Sequence, residues 1–228
     1  MPSILLSGAS RGLGLEFTRQ YAEAGWRVYA TCRHPEKAQQ LHALKSPNIS
    51  LHRLDVASDN SIAELSQELA GVPLDIVLAN AGLAEAHPVT PEIIKRSDWM
   101  DLVAVNTFGP LALAGSLKAN LMAGNQKKAI AVSSLMGSIS SNNWGTQYVY
   151  RASKSGLNAL WRNLSIDWKV DGIICTLIRP GFVKTDMTNF KGDLLPEETV
   201  TGMRKVFSGL TAEDNGRYLS YDGTELPW

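Results

Sequence analysis

The sequence predicts an α/β fold, a doubly wound parallel sheet of about seven strands with helices on both faces. Short apolar runs alternate along the chain with helical patterns, which is typical of parallel βαβ units. No internal repeat, low-complexity tract or linker interrupts this alternation across the 228 residues. We therefore expect a single domain over residues 1–228, with a substrate-side flap and helix at 186–208 within it.

The strands are predicted where short apolar runs end in small or polar residues. Parallel strands need a crossover between them, so the segments that separate these runs are expected to contain helices. The predicted strands lie at 4–7, 27–31, 49–54, 74–79, 128–133 and 173–178, with a seventh near 217–220.

The helices are predicted from apolar residues that recur every three or four positions. One such face runs through residues 12–24, and Gly25 follows as a stop signal. The pattern Ser61-x-x-Glu64 fits a capping box that opens a second helix. A third helix is expected from Asp98 toward Leu121, and a long one over 150–170.

Composition and charge argue against several classes of function. The chain has 22 Lys and Arg against 22 Asp and Glu, which does not favour nucleic acid or an anionic membrane surface as a partner. No run of about 18 apolar residues could span a membrane, and the first residues lack the basic start of a signal peptide. Cys32 and Cys175 lie in apolar segments without metal-ligand spacing. We therefore expect no metal site, two reduced thiols and a cytoplasmic protein.

The turn between the first strand and the first helix is rich in glycine. It reads Ser7-Gly8-Ala9-Ser10-Arg11-Gly12-Leu13-Gly14. Glycine there permits a tight turn close to a pyrophosphate, and the start of the helix supplies N–H donors and positive potential. An ordinary glycine-rich turn would look alike, but the position favours dinucleotide binding by a Rossmann-type fold. The candidate cofactor residues here are Gly8, Ser10, Arg11, Gly12, Leu13 and Gly14.

The end of the second strand is expected to select the dinucleotide. An acidic residue there would accept a hydrogen bond from the ribose 2′-OH of NAD, but the chain has Thr31-Cys32-Arg33. Arg33 is placed to pair with a 2′-phosphate, and Arg11 can reach the same group. Either arginine alone is equally consistent with a solvated surface charge. Both together, with no acid at this corner, predict NADP(H) as the cofactor.

Two further strand ends carry candidate cofactor residues. Asp55-Val56 follows the third strand, where the carboxylate would accept from the adenine amino group or, alternatively, cap the next helix. Asn80-Ala81-Gly82 ends the fourth strand. Its small residues let the backbone approach a cofactor and Asn80 can brace neighbouring strands, although a plain turn would show the same residues.

Tyr150 and Lys154 are the candidate catalytic pair. Their spacing of four places both on one face of a helix. There the lysine ammonium would favour ionisation of a phenol whose pKa is ordinarily about 10. A serine hydroxyl, such as that of Ser134, can hold a substrate oxygen while charge develops on it. An amphipathic helix with a surface lysine would give the same pair, so the assignment depends on context.

The order of these motifs resembles that of the short-chain dehydrogenase/reductase family over essentially the whole chain. Residues 179–187 and 221–228 resemble the branch of NADPH-dependent carbonyl reductases that includes the sniffer and C-signal proteins. The matching pieces, in family order, are Gly8-x-x-x-Gly12-x-Gly14, Asp55-Val56, Asn80-Ala81-Gly82, Asn106, Ser134, Tyr150-x-x-x-Lys154 and Pro180-Gly181-Phe182-Val183-Lys184-Thr185.

The resemblance implies a role for each candidate catalytic residue. Tyr150 would be the general acid in reduction and the base in oxidation. Lys154 would lower the pKa of Tyr150 and contact the nicotinamide ribose. Ser134 would hold the substrate oxygen, and Asn106 would help to hold a water that links Lys154 to solvent.

The segment after the sixth strand is expected to contact both cofactor and substrate. Val183 and Thr185 would meet the nicotinamide carboxamide, and Pro180 and Gly181 would lie beside them. The segments near the nicotinamide carry few charges, which favours a neutral ketone or aldehyde as the small-molecule substrate. The apolar residues expected around it are Met136, Trp144, Phe182, Met187 and Phe190.

The chain departs from the family pattern at two places. Ala79 stands where relatives often have a second Asn before Asn80. Ser134 precedes Tyr150 by 16 residues, which is longer than in many relatives. The added length leaves Ser138 as a rival catalytic serine, but Ser134 is preferred because it directly follows the fifth strand.

Two other functions and two association states stay open. An NAD-dependent alcohol dehydrogenase is disfavoured by Arg33, and a dinucleotide-binding signalling protein with little catalysis is disfavoured by the intact catalytic set. Relatives commonly associate through the helices that precede and contain the catalytic tyrosine. A homodimer therefore fits the sequence, and so does a monomer.

Overall fold

The computed structural model describes residues 1–85 and 90–228, and its strands form one seven-stranded parallel sheet. The strand order β3-β2-β1-β4-β5-β6-β7 is that of a doubly wound, Rossmann-type sheet. The predicted fold class is therefore confirmed. The strands are β1 (Ser3–Ser7), β2 (Arg27–Cys32), β3 (Ile49–Arg53), β4 (Ile76–Ala79), β5 (Lys128–Val132), β6 (Ile174–Arg179) and β7 (Tyr218–Ser220).

The strand order reverses at β1, which pairs with β2 on one side and with β4 on the other. In sheets of this kind, ligands bind beyond the carboxyl ends of the strands at the switch point. The glycine turn follows β1 and Arg33 follows β2, while Asn80 and Ser134 follow β4 and β5. The topology therefore gathers these groups at one edge of the sheet.

Helices cover both faces of the sheet. They are α1 (Gly12–Glu23), α2 (Gln39–His42), α3 (Asp59–Glu68), α4 (Arg96–Val103), α5 (Gly109–Ser116), α6 (Lys118–Ala123), α7 (Tyr148–Asp167) and α8 (Pro196–Gly209). On one face, α3, α5 and α7 bury Leu65, Leu113 and Trp161 in a common core. On the other, α1 and α8 meet through Phe17 and Phe207, whose ring centroids are 5.9 Å apart.

The helix predicted from Asp98 toward Leu121 is interrupted. α4 ends at Val103, a π-helical turn spans Ala104–Phe108, and α5 and α6 follow as separate pieces. Pro110 has no N–H to donate to the carbonyl of Asn106 four residues earlier, which disturbs regular α-helical bonding. Gly109 also packs so closely that a Cβ there would lie 2.6 Å from the Val56 carbonyl oxygen. The interruption therefore falls on a candidate catalytic residue, Asn106, as π-helical turns often do.

The second helix begins one turn earlier than its predicted capping box. Ser58 is the N-cap of α3, and its hydroxyl accepts a hydrogen bond from the Ser61 N–H at 3.3 Å. The Ser61 hydroxyl instead accepts from the Asp55 N–H at 2.9 Å. Asp55 does not cap the helix either, since its Oδ1 accepts from the Ala57 N–H at 3.0 Å. The capping assignment at Ser61 is therefore wrong, because Ser58 offers an equivalent hydroxyl one turn upstream.

The two cysteines are buried, and neither is in a disulfide. Burial raises the pKa of the Cys175 thiol to about 12, which makes it a poor nucleophile. Within the described part of the chain, every helix is too short or too polar to cross a bilayer.

Candidate active site

The glycine turn after β1 forms a concave cradle. Gly8 and Gly12 have φ angles of +73° and +54°, in the left-handed region that favours glycine. A Cβ at Gly14 would lie 2.1 Å from the Gly8 carbonyl oxygen, so only glycine lets α1 approach the turn this closely. No side chain caps the first turn of α1. Its N–H donors and positive helix end are therefore available to an anion.

Asn80 ties the end of β4 to the glycine turn. Its side-chain amide donates to the carbonyls of Ser7 and Gly8, at 2.9 and 3.3 Å. The Ser7 hydroxyl accepts from the N–H groups of Asn80 and Ala81, at 3.1 and 3.0 Å. Asn80 therefore braces β1 against β4 without a second Asn at position 79.

A cleft opens at the switch point of the sheet. Gly181 and Val183, predicted as cofactor residues, do not line it, and neither do Ser134 and Asn106. Residues without a predicted role also border it, namely Cys32, Leu54, Leu83, Val105, Val132, Ser133 and Asp186. The candidate cofactor residues that line the cleft are Gly8, Ser10, Arg11, Gly12, Leu13, Gly14, Arg33, Asp55, Val56, Asn80, Ala81, Gly82, Tyr150, Lys154, Pro180 and Thr185.

Gly181 and Val183 contact Leu194 and not the cleft, because the segment after β6 turns back on itself. Val183 is 3% exposed and forms a short parallel bridge with Leu194. Gly181 has a φ of +83°, and a Cβ there would lie 2.6 Å from the Leu194 side chain. Of the apolar residues expected around a substrate, Met187 borders the cleft. Four others do not border it, namely Met136, Trp144, Phe182 and Phe190.

Two arginines border the cleft near the end of β2 and in the glycine turn. Arg33 is exposed and takes part in none of the ion pairs formed among residues 1–85 and 90–228. Arg11 lies 3.3 Å from the carboxylate of Asp186, with 66% and 49% of the two side chains exposed. An exposed pair of this kind contributes roughly 0–1 kcal/mol. An anion in the cleft can therefore compete for Arg11.

The Ser134 side chain lies near the Tyr150 phenol. Burial raises the pKa of the phenol, and Ser134 as a potential hydrogen-bond partner opposes that change. Lys154 Nζ lies 5.9 Å from the centroid of the Tyr150 ring and donates to the Val132 carbonyl at 2.8 Å. Burial lowers the pKa of Lys154 to about 8. Lys154 therefore titrates closer to neutral pH than a solvated lysine does.

Asn106 is fully buried in the π-helical turn. Its side chain bonds both the N–H and the carbonyl of Leu83 at 2.8 Å, and donates to the Ser153 hydroxyl at 3.0 Å. A Cβ on Gly82 would lie 3.3 Å from Asn106 Oδ1 and 3.7 Å from Lys154 Nζ. Asn106 therefore joins the segment after β4 to α7 in the neighbourhood of Lys154.

Ser134 and Ser138 have different surroundings. Ser134 caps the short 3-10 turn Leu135–Gly137, and its hydroxyl accepts from the Met136 N–H at 3.2 Å. Ser138 is 1% exposed, and its hydroxyl donates to Ser141 and to the Trp228 carbonyl, at 2.9 and 3.2 Å. Ser134 thus lies against Tyr150, while Ser138 anchors the loop that follows.

Two residues without a predicted role hold Ser134 and Tyr150 in place. Tyr218 is fully buried and donates its hydroxyl to the Ser134 carbonyl. Glu85 Oε1 accepts from the N–H groups of Val149 and Tyr150, at 2.7 and 2.9 Å. Along the chain, Tyr218 is 84 residues from Ser134, and Glu85 is 65 residues from Tyr150. No local sequence pattern signals contacts over such separations.

The cleft fits a nicotinamide dinucleotide. A side chain in place of Gly8 or Gly14 would clash with the backbone of the cradle. The backbone N–H donors at the start of α1 suit a pyrophosphate. Arg33 suits a phosphate on the adenine ribose. In the described ranges, no three His, Cys, Asp or Glu side chains are grouped so that they could hold a metal ion.

Comparisons with known proteins agree with this geometry. The short chain dehydrogenase family profile matches residues 2–194. C-signal of Myxococcus xanthus is 34% identical over 156 residues, which is 68% of this chain and 93% of that protein. The carbonyl reductase Sniffer of D. melanogaster has a TM-score of 0.92 at 30% identity over 100% of both chains.

A further solved structure, the NADPH-bound carbonyl reductase from chicken fatty liver, has a TM-score of 0.91 at 32% identity. The match covers 100% of this chain and 99% of that one. The resemblance drawn from the sequence motifs is therefore confirmed. The chain belongs to the short chain dehydrogenase family of oxidoreductases.

Proposed function

We propose that the protein is an NADPH-dependent carbonyl reductase that reduces a ketone or aldehyde to an alcohol. The observation that carries this proposal is that Tyr150 and Lys154, one helical turn apart on α7, both line the cleft that the glycine cradle borders. Its similarity to two carbonyl reductases, one of them solved with NADPH, supports the same activity.

In this mechanism, bound NADPH supplies a hydride to the carbonyl carbon. Ser134 donates a hydrogen bond to the carbonyl oxygen as negative charge develops on it. Tyr150 transfers its phenolic proton to that oxygen, which completes the alcohol. The ammonium of Lys154 favours the phenolate that remains on Tyr150.

A proton must then return to Tyr150. Lys154, which lies beside the Tyr150 ring and whose pKa burial lowers to about 8, can relay one. The family resemblance gives Asn106 the role of holding a water that would link Lys154 to solvent. Pro110 leaves the Asn106 carbonyl without the N–H of the residue four positions on, which fits that role.

We expect Arg33→Asp to weaken NADPH binding and to spare or improve NADH binding. Arg33 borders the cleft at the end of β2, so the change removes a phosphate partner and adds a group that can accept from a ribose 2′-OH. Loss of a hydrogen bond to a charged group corresponds to about 1.5–3 kcal/mol, or roughly 10- to 150-fold in Kd. Fluorescence titration with each cofactor measures the change.

Arg53→Asp provides the matched control for this titration. Arg53 is exposed at the end of the neighbouring strand β3, opposite Cys32, and does not line the cleft. Its replacement makes the same change in net charge without touching the proposed phosphate site. Equal affinity of the parent protein for NADPH and NADH would overturn the assignment of Arg33.

One assay separates this proposal from its two rivals. Aliphatic, aromatic, steroid and quinone carbonyls are tested with NADPH and with NADH, and the corresponding alcohols with NADP⁺ and NAD⁺. Faster turnover with NAD⁺ and alcohols would favour an NAD-dependent alcohol dehydrogenase. Retained cofactor binding without turnover on any compound would favour a signalling protein.

Association, location and the flap stay predictions. α7 buries Leu157, Trp161 and Leu164 within the chain itself, as does its C-cap residue Trp168, so these apolar side chains are not available to a second copy. Analytical ultracentrifugation decides between monomer and homodimer.

The flap and helix predicted at 186–208 correspond to a 3-10 turn at Asp186–Thr188 and to most of α8. A cytoplasmic location rests on the sequence alone.

A further inference from the structure

The helix that carries Tyr150 starts without a cap of its own. Gln147 is the N-cap residue of α7, has left-handed backbone angles (φ 56°, ψ 44°) and makes no capping hydrogen bond with its side chain. The two residues before it, Gly145 and Thr146, also have positive φ angles of 67° and 59°. The first N–H groups of a helix need acceptors from outside it, so another part of the chain must supply them.

Glu85 supplies that acceptor from the segment after β4. Its Oε1 accepts from the N–H groups of Val149 and Tyr150, at 2.7 and 2.9 Å. Its second oxygen, Oε2, is buried and has no hydrogen-bond partner in the part of the chain that the structure describes. Within those residues the carboxylate therefore bonds only the start of α7, where a negative charge is favoured.

The segment that holds Glu85 is itself fixed to the cofactor cleft. It continues from Asn80 and Gly82, which line the cleft. The next residue, Leu83, is bonded through both its N–H and its carbonyl to the buried side chain of Asn106. Consecutive residues and hydrogen bonds therefore connect the cleft, past Asn106, to the backbone N–H of Tyr150.

We propose that Glu85 is a positioning residue, whose carboxylate caps α7 and sets the place of Tyr150 relative to the cofactor cleft. This role rests on the proposed reductase function, in which a small displacement of the proton donor lowers turnover. A misplacement of about 1 Å can reduce the rate of an enzyme about 10²-fold. Substrate and cofactor binding should change much less, because Glu85 does not border the cleft.

The test compares Glu85→Met with Glu85→Gln. Methionine fills similar space without an acceptor, whereas glutamine keeps an oxygen in the place of Oε1. We expect Glu85→Met to lower kcat by about 10- to 10²-fold with KM for NADPH within about two-fold of the parent value. Glu85→Gln should retain most of the parent kcat. Equal kcat in the parent and Glu85→Met, or equal losses in both variants, would overturn the proposal.

Amide hydrogen exchange gives a readout that does not depend on turnover. We expect the amides of Val149 and Tyr150 to lose protection in Glu85→Met and to keep it in Glu85→Gln. Asp214→Ala is the matched control, since Asp214 accepts from the Thr211 N–H at 2.8 Å in a turn that takes no part in the cleft. It should leave both amides and kcat unchanged.

The two measurements distinguish failure of this proposal from failure of the proposed function. Protection of both amides in Glu85→Met would show that Glu85 does not cap α7, whatever the enzyme reduces. If Glu85→Met does not fold, Glu85→Ala replaces it in both measurements. If the parent turns over no carbonyl, the reductase function fails, and loss of protection still decides whether Glu85 holds the helix.

Discussion

Tyr150→Phe is expected to lower kcat by about 10²–10⁴-fold, the usual contribution of a positioned general acid. The ring still fills its site, so NADPH affinity should stay within about two-fold of the parent value. Only the phenolic hydroxyl of Tyr150 is removed. Steady-state kinetics on a reducible carbonyl, with cofactor titration of the same preparation, measures both quantities.

Lys154→Ala tests whether Lys154 acts with Tyr150 as one unit. This variant should lose both turnover and cofactor affinity, because Lys154 lines the cleft and lies next to the Tyr150 ring. The double variant should be little worse than Tyr150→Phe in kcat, since residues that act together are not additive. A Tyr150→Phe enzyme with the parent kcat would show that another group donates the proton.

Ser134→Ala should lower kcat by about 10²–10³-fold, the usual effect of removing one donor to a developing oxyanion. Ser134 stands two residues beyond the end of β5 and near Tyr150, where its hydroxyl would meet the reacting oxygen. Ser138→Ala should have a much smaller effect, because the Ser138 hydroxyl is used by Ser141 and the Trp228 carbonyl. The two variants are compared at saturating NADPH.

The reverse ranking would contradict this assignment. If Ser138→Ala lost more turnover than Ser134→Ala while both variants stayed folded and bound NADPH, the longer interval before Tyr150 would have moved the catalytic serine downstream. Circular dichroism and cofactor titration supply the two controls. The contact between Ser134 and Tyr150 would then have no role in turnover.

The sheet and the cofactor turn could be predicted because their signals are local. β1, β4 and β5 are buried along their whole length, and strands buried on both faces appear as continuous apolar runs. The glycine pattern and the spacing of Tyr150 and Lys154 are equally local. Each of these features can be recognised within a few consecutive residues.

Features that depend on distant packing could not be predicted in this way. Ser58 and Ser61 are both good capping residues, and only the bond between Asp55 and Ser61 decides between them. The close approach of Gly109 to Val56, 53 residues away along the chain, likewise has no local sequence signal. Such contacts exist only once the sheet has brought the segments together.

The bond from Tyr218 to the Ser134 carbonyl has a consequence for the order in which the protein matures during synthesis. Tyr218 belongs to β7, the last strand along the chain and an edge of the sheet. A nascent chain that has emerged only through β6 already contains the glycine turn, Ser134 and α7. Its Ser134 carbonyl still lacks the Tyr218 hydroxyl, so we expect this contact to form only after β7 has left the ribosome.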